Sequence, residues 1–380
     1  MQTDKQKLTI LPPQTIGIIG GGQLGRMMAL AARHMGYGIA VLDPTPNCPT
    51  AQVADIHIEA AYDDMDGIRK LTEVSDVITY EFENVDLEAA AYIEAQGKLP
   101  QGARALEVTQ NRKREKELIR DLGLPVPEFA IVESAEEAKE ALSTFVLPAV
   151  IKTCRGGYDG KGQVKIESAQ DFAEAIELAD KQSPCIIEQW IPFEREISAV
   201  FTRSQDGDIE FFPIAENDHR DHILYKTTVP ANVSGQVIER AKAAAGLLAD
   251  EMDIVGTFTV EMFVRGEDIF LNEMAPRPHN SGHYTIEACN ISQFAQHVRA
   301  ICGLPLMPVR LLGDTVMINV LGEDLPGVLR AMPLSEDAFV HLYGKAEPKD
   351  KRKMGHVTFL AETKEQLERM INDYEKATQN

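Results

Sequence analysis

Basic charge is what this chain is short of. It has 38 basic residues against 59 acidic ones, a formal net charge of −21 at pH 7. A surface of that sign repels nucleic acid and anionic membranes, though it leaves room for a local basic pocket around a small phosphate. Cysteine is scarce as well. The five residues, Cys48, Cys154, Cys185, Cys289 and Cys302, are odd in number and form no C-x-x-C pair. They predict reduced, mostly buried thiols in a cytoplasmic protein, not a disulfide scaffold. No run of about 18 apolar residues occurs, so no membrane-spanning helix is expected. The opening MQTDKQKLTILPPQ lacks the apolar core and cleavage pattern of a signal peptide. Repeats and low-complexity segments are absent too. What is present is an ordinary globular composition over 380 residues, enough for two or three domains with ample core.

Residues 16 to about 105 alternate strand and helix. Strands are predicted at 16–20, 39–43, 56–58 and 76–82, and helices at 24–36, 64–73 and 86–97. That order predicts a parallel α/β domain over residues 1–108. In it Gly20, Gly22 and Gly25 have the spacing G-x-G-x-x-G, and Asp43 ends the second strand. Taken alone, these residues form a dinucleotide-binding fingerprint. A charged helix at 109–123, stopped by Gly123 and Pro125, leads into a compact α+β module over 109–190. Its strands fall at 128–132, 148–154, 163–167 and 185–190, and Ser134-Ala-Glu-Glu137 opens a helix as a capping box. The remainder, 191–380, carries strands at 196–203, 209–215, 256–264 and 268–274 and helices at 236–252 and 292–302. A strand-rich tail with a basic patch follows from 315, ending in a helix near 363–376.

Three stretches carry chemistry. In Arg155-Gly-Gly-Tyr-Asp-Gly-Lys-Gly-Gln163, glycines between two strands let backbone N–H groups fold over an anion. Lys161 is followed by Gly162, so this is not a P-loop. Lys152 stands just before it in an apolar Pro-Ala-Val-Ile context, where a lysine needs a reason. The hairpin Val260 to Glu273 brings two carboxylates together. With a three-residue turn Glu261 lies opposite Glu273; with a two- or four-residue turn Asn272 takes that place and Glu273 is diagonal. Like charges across a ladder destabilise it, and a divalent cation would remove the penalty. Then Arg277, His279, Asn280, Ser281 and His283 crowd between two prolines and a glycine. Such a set fits capture of a small oxyanion by an Arg fork and neutral donors.

The order Lys152, Gly-rich loop, Glu188-Gln-Trp-Ile191, Glu196, Glu261, Asn272-Glu273 and Arg277 resembles the ATP-grasp superfamily. Within it, GGYDGKGQ, EREIS and NEMAPRPHNSGHYT resemble the N5-carboxyaminoimidazole ribonucleotide synthetase family, over about Ile16 to Leu360. The resemblance implies a Rossmann-like pre-ATP-grasp domain, a central lid module and a larger C-terminal α+β domain. It implies that Arg112, Lys152, Gly157, Tyr158, Asp159, Gly160, Lys161, Gly162 and Gln163 hold the ATP phosphates. Glu188, Gln189, Trp190 and Ile191 would read adenine by backbone, with Glu196 on the ribose, His219 nearby and Asn272 beside the metal. Glu261 and Glu273 would bind Mg²⁺. Many superfamily members have Asn two residues after the metal Glu where this chain has Ala275, which leaves that ligand position to water. Arg277, His279, Asn280 and Ser281 would hold bicarbonate. Tyr158, Asp159 and Lys161, with Gln23, Leu24 and Glu81, would line the ribotide site. Lys345, Arg352 and Lys353 would take the ribotide phosphate, and Lys353 would also serve the chemistry.

The implied reaction is ATP-dependent carboxylation of 5-aminoimidazole ribonucleotide by bicarbonate, through carboxyphosphate, in purine biosynthesis. The implied setting is a cytoplasmic homodimer with no NAD, nucleic-acid or membrane partner. A sibling that activates formate for glycinamide ribonucleotide shares the architecture, but the HNSGH string favours the carboxylase. A nicotinamide dehydrogenase would explain residues 16–43 and leave 150–163 and 261–283 unexplained. A non-catalytic nucleotide-binding regulator would keep Lys152 yet have no need of both metal carboxylates.

Overall fold

A computed structural model of the chain describes residues 9–156, 162–334 and 336–379. Of the expected site residues, Gly157, Tyr158, Asp159, Gly160 and Lys161 lie outside the described residues.

The N-terminal layer is β1 (Thr15–Ile19), α1 (Gln23–His34), β2 (Gly38–Leu42), β3 (Ile56–Ile58), α2 (Met65–Val74), β4 (Val77–Tyr80) and α3 (Leu87–Ala95). Its four strands are parallel, in the order β3-β2-β1-β4. β1 and β2 bury nearly every side chain, as strands covered on both faces must. Asp64 and Asp86 cap α2 and α3 by accepting their first free amides.

The helix predicted at 109–123 is α5 (Arg112–Asp121), and a short helix that was not predicted, α4 (Ala103–Thr109), precedes it. Asn111 breaks the run: its backbone is extended and its side chain accepts from Lys113 N, capping α5. The lid module follows with β5 (Phe129–Val132), α6 (Ala135–Thr144), β6 (Ala149–Thr153), β7 (Gln163–Ile166), α7 (Phe172–Gln182) and β8 (Cys185–Gln189). Its antiparallel sheet runs β5-β8-β6-β7. Ala138, Leu142, Ala175 and Ala179 of the two helices bury one of its faces.

The C-terminal layer holds β9 (Arg195–Arg203), β10 (Ile209–Phe211), β11 (Ala215–Arg220), β12 (Ile223–Val229), α8 (Gly235–Glu251), β13 (Gly256–Arg265), β14 (Asp268–Ala275), α9 (Thr285–Ala288) and α10 (Gln293–Ile301). It ends with β15 (Asp314–Leu321), α11 (Leu325–Ala331), β16 (Phe339–Leu342), β17 (Lys353–Ala361) and α12 (Lys364–Gln379). One sheet takes all its strands: β14-β13-β9-β11-β12-β15-β17-β16, with β10 beside β9. The single strand predicted at 209–215 is split into β10 and β11 around Pro213, which cannot donate to a ladder. The hairpin β11–β12 was not predicted. Its sequence is polar, its tip Asp221 and His222 are left-handed, and a bulge at Asp218/His219 breaks the alternation.

The turn after β13 has two residues, since Arg265 pairs with Asp268. That turn alone would set Asn272 opposite Glu261. A one-residue shift next to Met262 instead leaves Asn272 unmatched and pairs Glu261 with Glu273. The five cysteines are buried free thiols. Among the described residues no helix is long and apolar enough to cross a membrane.

Candidate active site

The lid sheet, α5 and the nine-stranded sheet enclose a cleft of about 920 Å³. Of the predicted residues, Arg112, Lys152, Gln163, Glu188, Gln189, Trp190, Ile191, Glu196, His219, Glu261, Asn272, Glu273, Arg277, His279, Asn280 and Lys353 line it. Gly162, in a left-handed conformation, accepts from Thr153 N at 2.9 Å and closes the described end of the Gly-rich loop.

At the lid end, Lys152 Nζ on β6 meets Glu188 Oε2 on β8 at 3.1 Å, and Lys116 Nζ on α5 stands 3.8 Å from the same oxygen. Burial works against the Glu188 charge, but the two ammonium groups outweigh it and hold its pKa below the usual carboxylate range. The amides of Gln189 and Trp190 donate to Glu128 O and Pro148 O, which ties this inter-domain strand to the lid. Glu196 and His219 are ion-paired across β9 and β11. Burial opposes the His219 charge; the Glu196 hydrogen bond and charge overcome it and raise its pKa.

At the other wall Glu261 and Glu273 face each other. Among the described residues neither carboxylate accepts a hydrogen bond, and His279 Nε2 stands 3.6 Å from Glu261 Oε1. Burial first, then the Glu273 charge, pushes Glu261 up to about 7. A directed chain orients His279. Asn217 Nδ2 donates to Ser198 Oγ at 3.1 Å, which donates to Ser281 Oγ at 2.7 Å, which lies 2.8 Å from His279 Nδ1. Ser281 N also donates to Nδ1. Nδ1 is therefore the acceptor, and the ring proton sits on Nε2, toward Glu261. Burial, then the Arg277 and Lys353 charges, keeps the ring neutral. Gln293 clamps the same residue, accepting from His279 N at 2.9 Å and donating to His279 O at 2.7 Å.

Three expectations change. Ser281 is fully buried and its hydroxyl belongs to that chain, so it orients His279 and does not face the cleft. Arg277 is not an open fork: Nη2 holds Glu83 Oε1 at 2.5 Å and Nη1 donates to Pro278 O at 3.1 Å. Leu24 packs into the core beside Ile16, Met27 and Val77, so its side chain faces no ligand. Beside Arg277, both amide atoms of Asn280 are buried and have no hydrogen-bond partner among the described residues.

The N-terminal fingerprint is filled from within. Glu81, just past β4, accepts from Gly22 N and, at 2.7 Å, from Gly25 N, so its carboxylate sits where a helix N-terminus would hold a phosphate. A Cβ on Gly20 would come within 2.5 Å of Glu81 Cγ, and one on Gly22 within 2.6 Å of Oε1. The glycines make room for the chain's own acid. Asp43 accepts from Gly21 N, Thr45 N and Tyr62 OH at 2.7, 2.7 and 2.6 Å. Gln23, at the start of α1, is partly exposed. Across from this loop, Lys345 Nζ donates to Lys353 O at 2.7 Å, and Arg352 Nη1 to Glu347 O at 2.9 Å. Burial, then the Arg352 and Lys353 charges, pushes Lys345 down to about 8, partly offset by Glu81.

Glu83, Glu115, Lys116, Ser198, Asn217 and Gln293 were not foreseen. One signal was available for two of them: Glu115, Lys116 and Ile119 share a helical face with Arg112, and Ile119 marks that face as buried.

Residues 13–110 match the ribonucleotide synthetase preATP-grasp domain, 117–294 the ATP-grasp domain, and 315–370 the phosphoribosylaminoimidazole carboxylase C-terminal domain. The chain is 47% identical over 361 residues to the N5-carboxyaminoimidazole ribonucleotide synthase of Bacillus subtilis (strain 168), covering 95% of each. It is similar to the crystal structure of an N5-carboxyaminoimidazole ribonucleotide synthetase complexed with ADP, with 51% identity, 98% of each chain covered and a TM-score of 0.94. It also resembles the Aspergillus clavatus N5-carboxyaminoimidazole synthase in complex with ADP and 5-aminoimidazole ribonucleotide, at 30% identity over 96% of this chain and 98% of that one, with a TM-score of 0.87.

Proposed function

The chain belongs to the ATP-grasp family of N5-carboxyaminoimidazole ribonucleotide synthases, and from that premise we propose how its residues divide the work. The enzyme is an ATP-dependent ligase that carboxylates 5-aminoimidazole ribonucleotide in purine biosynthesis. In our reading a bicarbonate oxygen attacks the γ-phosphorus of ATP, the bond to the β-phosphate oxygen breaks, and ADP leaves with carboxyphosphate formed. The 5-amino group then attacks the carboxyl carbon, loses a proton, and phosphate departs.

Phosphoryl transfer of this kind needs positioning and charge neutralisation more than covalent help. Lys152 and Arg112 would meet the phosphates, and Glu188 holds Lys152 in place. Mg²⁺ fits Glu261 and Glu273, because two carboxylates paired across a ladder, neither accepting a hydrogen bond among the described residues, call for a cation. Among the described residues no group of three His, Cys, Asp or Glu is arranged for a metal, so phosphate and water oxygens would complete the shell. When bound, the ion would offset phosphate charge.

His279 would donate its Nε2 proton as a hydrogen bond to a ligand oxygen. The Nε of Arg277 and the Asn280 amide, without hydrogen-bond partners among the described residues, suit bicarbonate. Closure of the lid would keep water from carboxyphosphate. The ribotide would lie between the Gln23–Glu81 loop and Lys345, Arg352 and Lys353, with no dinucleotide in that loop. Cytoplasmic location and a homodimer complete the reading, which sedimentation velocity tests for the second.

The observation that carries this assignment is that one cleft holds the paired carboxylates, the Lys152–Glu188 couple and the Arg277–Asn280 string. ADP release should require 5-aminoimidazole ribonucleotide and bicarbonate together. Release with formate and glycinamide ribonucleotide in their place would overturn it.

A further inference from the structure

The hairpin alone does not bring Glu261 and Glu273 together. Counted from its two-residue turn, Glu261 falls opposite Asn272, and only the bulge moves Glu273 into register. A bulge forfeits ladder bonds and leaves backbone groups to be answered elsewhere. Here it lies on β14, the edge strand of the sheet. A regular strand turns successive carbonyls to opposite sides. In this segment Leu271 O and Asn272 O both accept from Lys116 Nζ, at 3.3 and 2.7 Å. Two residues on, Met274 N donates to Glu115 Oε1 at 2.6 Å, and Leu271 N donates to Pro125 O at 2.8 Å. Neighbouring residues of one helix thus answer the groups that the bulge leaves open. Lys116 is 1% exposed and Glu115 2%. An ammonium with three donors and no acceptor suits two converging carbonyls, and buried charge of this kind persists only when it is paired, here beside Glu188.

We propose that Glu115 and Lys116 are positioning residues that hold the β14 bulge and so set the register of the two metal-binding carboxylates. The proposal rests on the reading of Glu261 and Glu273 as Mg²⁺ ligands. It makes the metal hairpin depend on the connector helix. That helix also reaches the lid, because Arg112 Nη1 donates to Thr153 O at 3.1 Å.

The test is ADP binding with and without Mg²⁺, followed by the fluorescence of Trp190, the chain's one tryptophan, at the cleft wall. Wild-type protein should bind ADP more tightly with Mg²⁺. Lys116→Met should lose roughly tenfold of that gain, the effect of one charge-assisted hydrogen bond, with metal-free ADP affinity little changed. Glu115→Gln keeps an acceptor for Met274 N and should retain the gain. If Lys116→Met does not fold, Lys116→Leu, which also removes the donors, is read the same way. Equal weakening with and without Mg²⁺ would mean that Lys116 acts on the nucleotide, directly or through Glu188 and Lys152, and would overturn the clamp. So would a loss in Glu115→Gln as large as in Lys116→Met. A wild-type protein with no Mg²⁺ gain would instead overturn the reading of the carboxylates themselves.

Discussion

Two acids, Asp43 and Glu81, converge on the glycine loop after β1, and two, Glu261 and Glu273, meet across the hairpin β13–β14; the pairs differ in what answers them. Asp43 and Glu81 accept hydrogen bonds from Gly21, Thr45, Tyr62, Gly22 and Gly25. Glu261 and Glu273 accept none among the described residues and stand opposite each other. The first pair holds a loop together. The second sits in a sheet at a cost that a ligand can remove. A spacing motif does not separate the two cases, whereas the hydrogen-bond account of each carboxylate does.

The comparison breaks or holds at its stronger end first. Glu273→Gln removes one charge from the proposed Mg²⁺ site and should cost about two orders of magnitude in ATP turnover, ~3 kcal/mol, measured as ADP formation. Its melting temperature should stay level or rise, because a like-charge pair has been relieved. Wild-type turnover at limiting Mg²⁺ would remove the hairpin from the active site.

Glu81→Gln probes the other region. Its amide N–H₂ cannot accept from Gly22 and Gly25 together, so unfolding in denaturant should show a loss of about 1–3 kcal/mol. An unchanged midpoint would mean that the N-terminal acids are not structural after all.

Lys345, near Glu81, sharpens the contrast by pH. With its pKa at about 8, it is protonated below that pH and neutral above it. The charge that we propose meets the ribotide phosphate is therefore present at neutral pH and fades through about 8. The kcat/KM for ribotide should fall on that limb while ADP affinity does not follow, and Lys345→Arg should move the fall upward. A limb that stays in place in Lys345→Arg assigns it to another group. The smallest expected effect is none at all. NADH and NADPH should give no calorimetric binding signal, and micromolar affinity for either would reopen the fingerprint.

Which parts of this were legible follows from where the information lay. Lys152 could be read from local context and Arg277 to His283 from crowding between prolines. Glu188 to Ile191 and Glu196 were reached only through the family resemblance. The charged helix 112–121 was legible only in part. Ile119 marks one face of NRKREKELIRD as buried, but nothing local says what Lys116 meets there, which is carbonyls 155 and 156 residues away. Ser281 read as a ligand because a serine among histidines and an asparagine looks available. Its burial depends on Ser198, a residue on another strand. Leu24 shows the same limit, since its proximity to a glycine loop in sequence gave no direction to its side chain.

The sequence by itself determined most element types, the parallel first sheet and the α+β make-up of the lid, because periodicity, caps and breakers act within a few residues; the hairpin β11–β12 escaped it. It also determined which residues bear charge in apolar or rigid surroundings. Only the tertiary structure decided the register of Glu261 against Glu273, the pairing of Arg277 with Glu83, and the satisfaction of Asp43 and Glu81. Each depends on groups far apart in the chain meeting at hydrogen-bond distance. A single unmatched residue, Asn272, is enough to change which side chain stands opposite a carboxylate.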